Sequence, residues 1–228
     1  MNDQLKTISC TDETAQSIIE KFCAHVHWLV TVRYIYTVLF EDEHPSCQTL
    51  MQQTASSFFD ALEKILREYL YLECAKITDP ATDGSNENFT VDWLVQKIDW
   101  PNNDILPELK SLQGKTEDLR SYIKPPRNKL IAHLDTRAVL SGKPLGAFPE
   151  GMDKTFFDAL QKICNIAHEA CFGRIYGGMS PRNCGDVINL RKTLEFAVAF
   201  KVALSDSSDE TKRWLYSCLE KAGHGPKP

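Results

Sequence analysis

No stretch of the 228 residues approaches the roughly 18 uninterrupted apolar residues of a membrane-spanning helix. The opening run MNDQLKTISCTDET is polar and acidic, without the basic region and apolar core of a secretory signal. Eight cysteines, from Cys10 to Cys218, contain no C-x-x-C pair, so they read as reduced, packed thiols rather than a disulfide framework. A cation excess is also missing. Lys and Arg total 26 against 31 Asp and Glu, a formal net charge of -5, so the surface as a whole does not attract nucleic acid. Binding to a polyanion has to rest on a local basic patch. No convincing β-strand run and no internal repeat is visible. The reading is a cytoplasmic chain with no membrane segment and no required cofactor.

What is present is ordinary globular material, 43% hydrophobic and 25% charged, long enough for one substantial domain. Its dominant period is helical. Ile18, Ile19, Phe22, Val26, Leu29, Val30 and Leu39 recur at helical spacing over residues 13–40. A second stripe from Gln48 to Ile77 includes Met51, Ala55, Phe59, Leu62, Leu66, Tyr69 and Leu72. Glu-Asp-Glu-His-Pro-Ser between them is a turn, and residues 78–88 are rich in turn formers. Thr90 is placed to cap a short helix over Val91–Ile98. Another helix runs through Leu106, Leu112, Leu119 and Ile123 until Pro125-Pro126 stops it, and Pro126 is suited to be the first residue of the next one. Residues 137–152, with three glycines and two prolines, form an extended loop or small hairpin. A helix opens at Asp153 or Thr155 and ends near Gly173, another spans Asp186–Leu204, and a last short one holds Trp214 and Leu219. The expectation is a single all-α domain over 1–228, an elongated bundle with a core at about 12–204 and a C-terminal helix and tail at 205–228.

One segment stands apart from the core stripes. Lys124-Pro125-Pro126-Arg127-Asn128-Lys129-Leu130-Ile131-Ala132-His133-Leu134-Asp135 is locally basic in an acidic chain. Between Lys115 and Arg137 lie six basic residues against three acidic ones. A helix beginning at Pro126 would add free backbone donors and a partial positive charge to that spot. The side chains suit phosphodiester chemistry. An imidazole exchanges a proton near neutral pH, and a guanidinium holds two phosphate oxygens and stabilises growing negative charge. Arg127 and His133 sit about 120° apart and about 9 Å along one ideal helix, so the two do not share a face.

An arginine, a polar residue directly after it and a histidine four to six residues on resemble the signature of HEPN domains. Arg127, Asn128 and His133 fill that pattern. The run Phe58-Phe59-Asp60-Ala61-Leu62, the exit Ala75-Lys76-Ile77-Thr78-Asp79-Pro80, Asn88-Phe89-Thr90 and Gly185-Asp186-Val187 resemble the abortive-infection, AbiU-type branch. The likeness covers roughly residues 12–204. It implies a homodimeric HEPN-like bundle in which two motifs meet across a two-fold groove. It implies a metal-independent endoribonuclease of toxin or phage-defence type, cutting RNA by 2′-hydroxyl attack to leave a 2′,3′-cyclic phosphate. On that resemblance His133 is the acid/base, Arg127 stabilises the transition state, and Asn128 orients a phosphate or Arg127. Lys124, Lys129 and Arg137 then contact the RNA backbone, and an antitoxin protein is a possible partner. Pairing two motifs would let each site combine groups from both chains.

Blander readings stand beside these. Arg127 can be a plain helix-start arginine and His133 a core histidine satisfied by Asp135 or a carbonyl. An inactive HEPN-like module that binds RNA or protein through the dimer groove, or an antitoxin-like subunit, fits the same residues. Cys164, His168 and Cys171 share a helical face at zinc-ligand spacing, as do Cys23 and His27, but a fourth ligand is missing and core packing is favoured, so no metal is expected. Trp28, Tyr34, Tyr36 and Phe40 are read as core residues before base-stacking ones.

Overall fold

The N-terminal apolar stripe folds as α1 (Glu13–Tyr36), and its next residues, Thr37–Glu41, wind into one π-helical turn. The structure, a computed structural model, describes residues 7–41, 45–128, 148–177 and 184–221. Six further helices are described: α2 (Pro45–Ile77), α3 (Val91–Lys97), α4 (Ile105–Pro126), α5 (Met152–Phe172), α6 (Cys184–Ser205) and α7 (Asp209–Lys221). The described residues form an all-α architecture. Among the described residues strands are limited to two-residue pairings: β1 (Ile8–Ser9) runs parallel to β4 (Ile98–Asp99), and β2 (Thr82–Asp83) runs antiparallel to β3 (Asn86–Glu87). The extended loop or hairpin expected at 137–152 lies almost wholly outside the described residues.

The chain divides into two compact units, Met1–Tyr36 with Lys64–Arg182, and Thr37–Glu63 with Asn183–Pro228. In the first, α5 packs against both α1 and α4. Ile19, Phe22, Val26 and Leu29 from α1, Leu109 and Ile123 from α4, and Phe156, Leu160 and Ile163 from α5 are essentially excluded from water. Each such side chain contributes about 1.5–3 kcal/mol by leaving solvent, which is what holds three helices of moderate propensity together. Leu70, Cys74 and Ile77, from the last turns of α2, close the same core. Gly173 ends α5 in the left-handed region at φ 66°, donating its N–H to Glu169 O at 2.8 Å.

In the second unit α6 packs on the π-helical turn, and Lys201 Nζ donates to Gln53 O at 3.0 Å. Leu39, Cys47, Met51, Phe59, Val187 and Leu194 are its buried apolar residues. Phe196 and Trp214 remain 76% and 64% exposed, so this unit buries less of its apolar content.

Two helix expectations need correction. The stripe from Gln48 to Ile77 is not one straight helix, because Ala55 leaves helical geometry at φ -155°, ψ 63°. Thr54, just before it, turns its hydroxyl onto the carbonyls of Leu50 and Met51, at 2.8 and 3.2 Å, a back-bonding that bends helices. Nor does Pro125-Pro126 stop α4. Proline lacks the N–H but its fixed φ suits a helix, so two prolines in a last turn remove donors without ending the winding. Arg127 keeps helical dihedrals (φ -56°, ψ -49°) and donates its N–H to Ile123 O and Lys124 O. It is the C-cap of α4, and with Asn128 it continues as a π-helical winding up to the last described residue before the 148–177 segment.

Candidate active site

The continuity of α4 decides where Arg127 points. Gln113, Arg120 and Arg127 are seven apart, so they line one face of an unbroken helix. Arg120 and Arg127 reach the segment between α2 and α3, and Gln113 reaches the first turn of α3. Gln113 Nε2 donates to Asp92 Oδ1 at 3.0 Å, Arg120 to Asp79 Oδ1 at 3.1 Å, and Arg127 to Asp79 Oδ2 at 3.4 Å. Asp79 belongs to the Thr78-Asp79-Pro80 exit of α2 and is fixed there, since its N–H donates to Lys76 O at 3.1 Å and the Thr78 hydroxyl donates to Cys74 O at 2.9 Å. One carboxylate thus anchors two guanidinium groups. The other end of the Arg127 fork donates to Asn128 Oδ1 at 2.9 Å. Its Nε is buried and has no partner among the described residues.

Beside this anchor lies a groove of about 480 Å³, lined by His25, Glu73, Lys76, Asp79, Phe89 and Arg127 among others. His25 comes from α1, Glu73 and Lys76 from the last turns of α2, and Phe89 from the residue before the Thr90 cap of α3. Thr90 does cap α3, its hydroxyl oxygen accepting from Trp93 N at 3.2 Å. His25 Nε2 lies 3.3 Å from Glu73 Oε2, and Lys76 Nζ donates to Glu73 Oε1 at 2.7 Å. Glu87, a further wall residue, accepts from Lys97 Nζ at 2.7 Å and Trp93 Nε1 at 3.2 Å, and the Lys97 hydrogen bond holds its carboxyl below the ordinary glutamate range. Every carboxylate of the groove is therefore matched by at least one cation, and Asp79 by two.

Arg127 and Lys124 sit at the C-terminal end of α4, where the helix supplies partial negative charge and its donors are used internally. Lys124 is exposed on that last turn. Lys129, His133 and Arg137 lie outside the described residues, so the structure brings together Arg127 and Asn128 of the expected set. His25, Lys76 and Phe89 were not singled out as site residues from sequence. Asp79 was visible as part of the Thr-Asp-Pro exit, and the seven-residue spacing of Arg120 and Arg127 was the signal that would have paired it with them.

The competing sites weaken on inspection. His168 is buried, with Nδ1 2.7 Å from Arg174 O and its ring centroid 4.4 Å from that of Phe172. No group of three or more potential ligands placed to hold a metal occurs among the described residues. Burial pushes the Cys164 thiol well up and that of Cys171 up to about 12, so neither is an activated nucleophile. Of the aromatic four, Tyr36 packs on the core, while Trp28 is half exposed and donates to Tyr69 Oη at 2.9 Å.

The sequence profile of the HEPN family described as AbiU2 matches residues 12–177. The chain belongs to the AbiU2 family of HEPN domains. The matched span contains α1 to α5, the Asp79 exit and the Arg127–His133 motif, whereas Gly185-Asp186-Val187 falls beyond it. No curated protein and no solved structure matches this HEPN chain. Its family carries a possible ribonuclease or abortive-infection role. No described helix is long and apolar enough to cross a membrane.

Proposed function

We propose that this HEPN domain is a metal-independent endoribonuclease of toxin or phage-defence type, acting in the cytoplasm as a homodimer. His133 removes the proton of a ribose 2′-hydroxyl, the freed oxygen attacks the adjacent phosphorus, and the bond to the 5′-oxygen breaks. The departing oxygen takes a proton from an imidazole, leaving a 2′,3′-cyclic phosphate and a 5′-hydroxyl. Arg127 neutralises the charge that grows on the phosphoryl oxygens, Asn128 orients the guanidinium, and Lys124, Lys129 and Arg137 hold the backbone on either side. With two motifs facing across a two-fold axis, each centre draws on groups from both copies. A basic antitoxin protein is the expected neutralising partner for such an activity.

The observation that carries this reading is the Arg127 fork, fixed at a groove edge by Asp79 on one arm and Asn128 on the other. A positioned guanidinium loses little freedom when it takes a phosphate, so its attraction is spent on the reacting charge. The contact of Arg127 with Asn128 Oδ1 favours the orienting role for Asn128 over a direct phosphate contact. A second reading, an inactive module that binds RNA or a protein through the same groove, draws support from the partial neutralisation of Arg127 by Asp79.

The test is incubation of the purified chain with end-labelled RNA, with and without chelator. Wild type should yield cyclic-phosphate ends in both conditions. Arg127→Ala and His133→Ala should each lower cleavage by at least about 100-fold. Absence of cleavage by wild type, or unaltered cleavage by His133→Ala, would sink the catalytic reading. Salt-sensitive RNA binding lost in Arg127→Ala, without any cleavage, would establish the second one.

A further inference from the structure

The Arg127 groove has one wall that phosphate chemistry does not use. Phe89 is 44% exposed and lines the groove, although a phenylalanine gains nothing from contact with water. Its ring is held from behind. It meets Phe22 edge-to-face at 5.7 Å and Trp93 at 6.4 Å, and Phe22 itself is wholly buried in the core. The backbone on either side is pinned as well. Asn88 donates its N–H to Ala81 O at 2.8 Å and its side-chain amide to Pro80 O at 2.9 Å, and Thr90 caps α3. Phe89 is therefore a fixed platform, not a mobile surface ring.

Arg127, Lys76 and the His25 imidazole line the same groove. The groove's about 480 Å³ falls within the range of clefts that seat a small ligand, which runs from about 300 to 1,000 Å³. The neighbouring carboxylates do not repel an anion in the ordinary way, because Glu73, Asp79 and Glu87 are each tied to a cation. An aromatic ring and cations on the walls of one groove are the chemistry that recognises a nucleotide, with the base on the ring and the phosphate on the cations.

We propose that the groove is a subsite for one unpaired nucleotide of RNA, in which the base stacks on Phe89 while Arg127 takes the adjoining phosphate. The subsite rests on the reading of this groove as an RNA site and adds a substrate class to it. A base can reach Phe89 only when it is out of a duplex stack, so the protein selects single-stranded segments, loops and bulges over paired RNA. The preference is for unpairedness more than for sequence, since every base offers a π-face.

The experiment uses the full chain and a 2′-O-methylated oligoribonucleotide carrying 2-aminopurine, which cannot be cut by 2′-hydroxyl attack. Wild type should quench the 2-aminopurine fluorescence of the single strand and bind it at least about tenfold more tightly than the same strand in a duplex. Phe89→Leu keeps apolar bulk against Phe22 but removes the ring, and should abolish the quench and weaken binding about tenfold. Phe89→Tyr should restore both. Equal binding of single strand and duplex by wild type, or an undiminished quench in Phe89→Leu, would overturn the subsite whatever the nuclease assay shows. The wild-type comparison stands even if Phe89→Leu fails to fold. Ring-dependent binding without cleavage would keep the subsite and reject the nuclease. Cleavage that ignores both base pairing and Phe89 would do the reverse.

Discussion

Two grooves of similar size, one in each unit, differ in what they can hold. The first, about 480 Å³, carries His25, Lys76, Phe89 and Arg127 on its walls. The second, about 430 Å³, is lined by residues that include Phe40, Gln48, Met51, Asp60 and Glu63, and no described residue on its wall is a cation. Volume does not separate them; charge does. The second groove offers a phosphate no cation on its described lining, whereas the first offers His25, Lys76 and Arg127. The presence of acids in a groove is therefore not what decides against a polyanion. What decides is whether cations share the wall with them.

That contrast can be broken at several points. The largest effect should come from Asp79→Asn, which releases both Arg120 and Arg127 from their shared anchor. Cleavage turnover should fall roughly tenfold to a hundredfold, because a displaced guanidinium loses the geometry of the reacting phosphate. RNA affinity should hold or rise, since a negative charge has gone. Steady-state kinetics would show this as a loss in kcat without a rise in KM, and a parallel rise in KM would contradict the positioning role of Asp79. Thr90→Ala should cost about 1 kcal/mol, the usual consequence of losing an N-cap, read as a lower urea midpoint.

A smaller effect is expected at Glu87, whose folded carboxyl titrates below the usual 4.5 because of its Lys97 hydrogen bond. A lowered folded pKa stabilises above the unfolded value and is lost as pH falls through the folded one. Glu87→Gln should therefore lower the urea midpoint near neutral pH, and the gap to wild type should close in acid, as pH falls through the lowered folded pKa. An equal gap at both pH values would mean that packing, not ionisation, carries the difference. The smallest effect belongs to the second groove. Asp60→Ala, at an exposed position, should leave RNA cleavage unchanged and stability within about 0.5 kcal/mol. A clear change in cleavage there would erase the distinction between the two grooves.

The helical elements were legible because the forces that make them are local. Apolar spacing placed α1 and α5, Thr90 announced the cap of α3, and Gly173 marked the end of α5 through its left-handed φ. Two features misled for equally physical reasons. Ala55 is a good helix former, yet the Thr54 hydroxyl competes for the carbonyls just before it. Pro125-Pro126 reads as a stop, yet proline at the last turn forfeits donors while keeping a helical φ.

Arg127, Asn128 and His133 were determined by the sequence alone, as a pattern of residue types whose spacing marks the HEPN family. The all-α class was determined with them, since periodicity survives without knowledge of any partner. Only the tertiary structure decided that Arg127 shares Asp79 with Arg120, and that His25, Lys76 and Phe89 line the same groove. Those residues come from α1, the exit of α2, the lead into α3 and the end of α4, separated by up to about a hundred positions. A charge on one of them is a surface feature or a site only according to which opposite charge folding sets within hydrogen-bond reach. That reach is fixed by how the helices pack, not by where the residues stand along the chain.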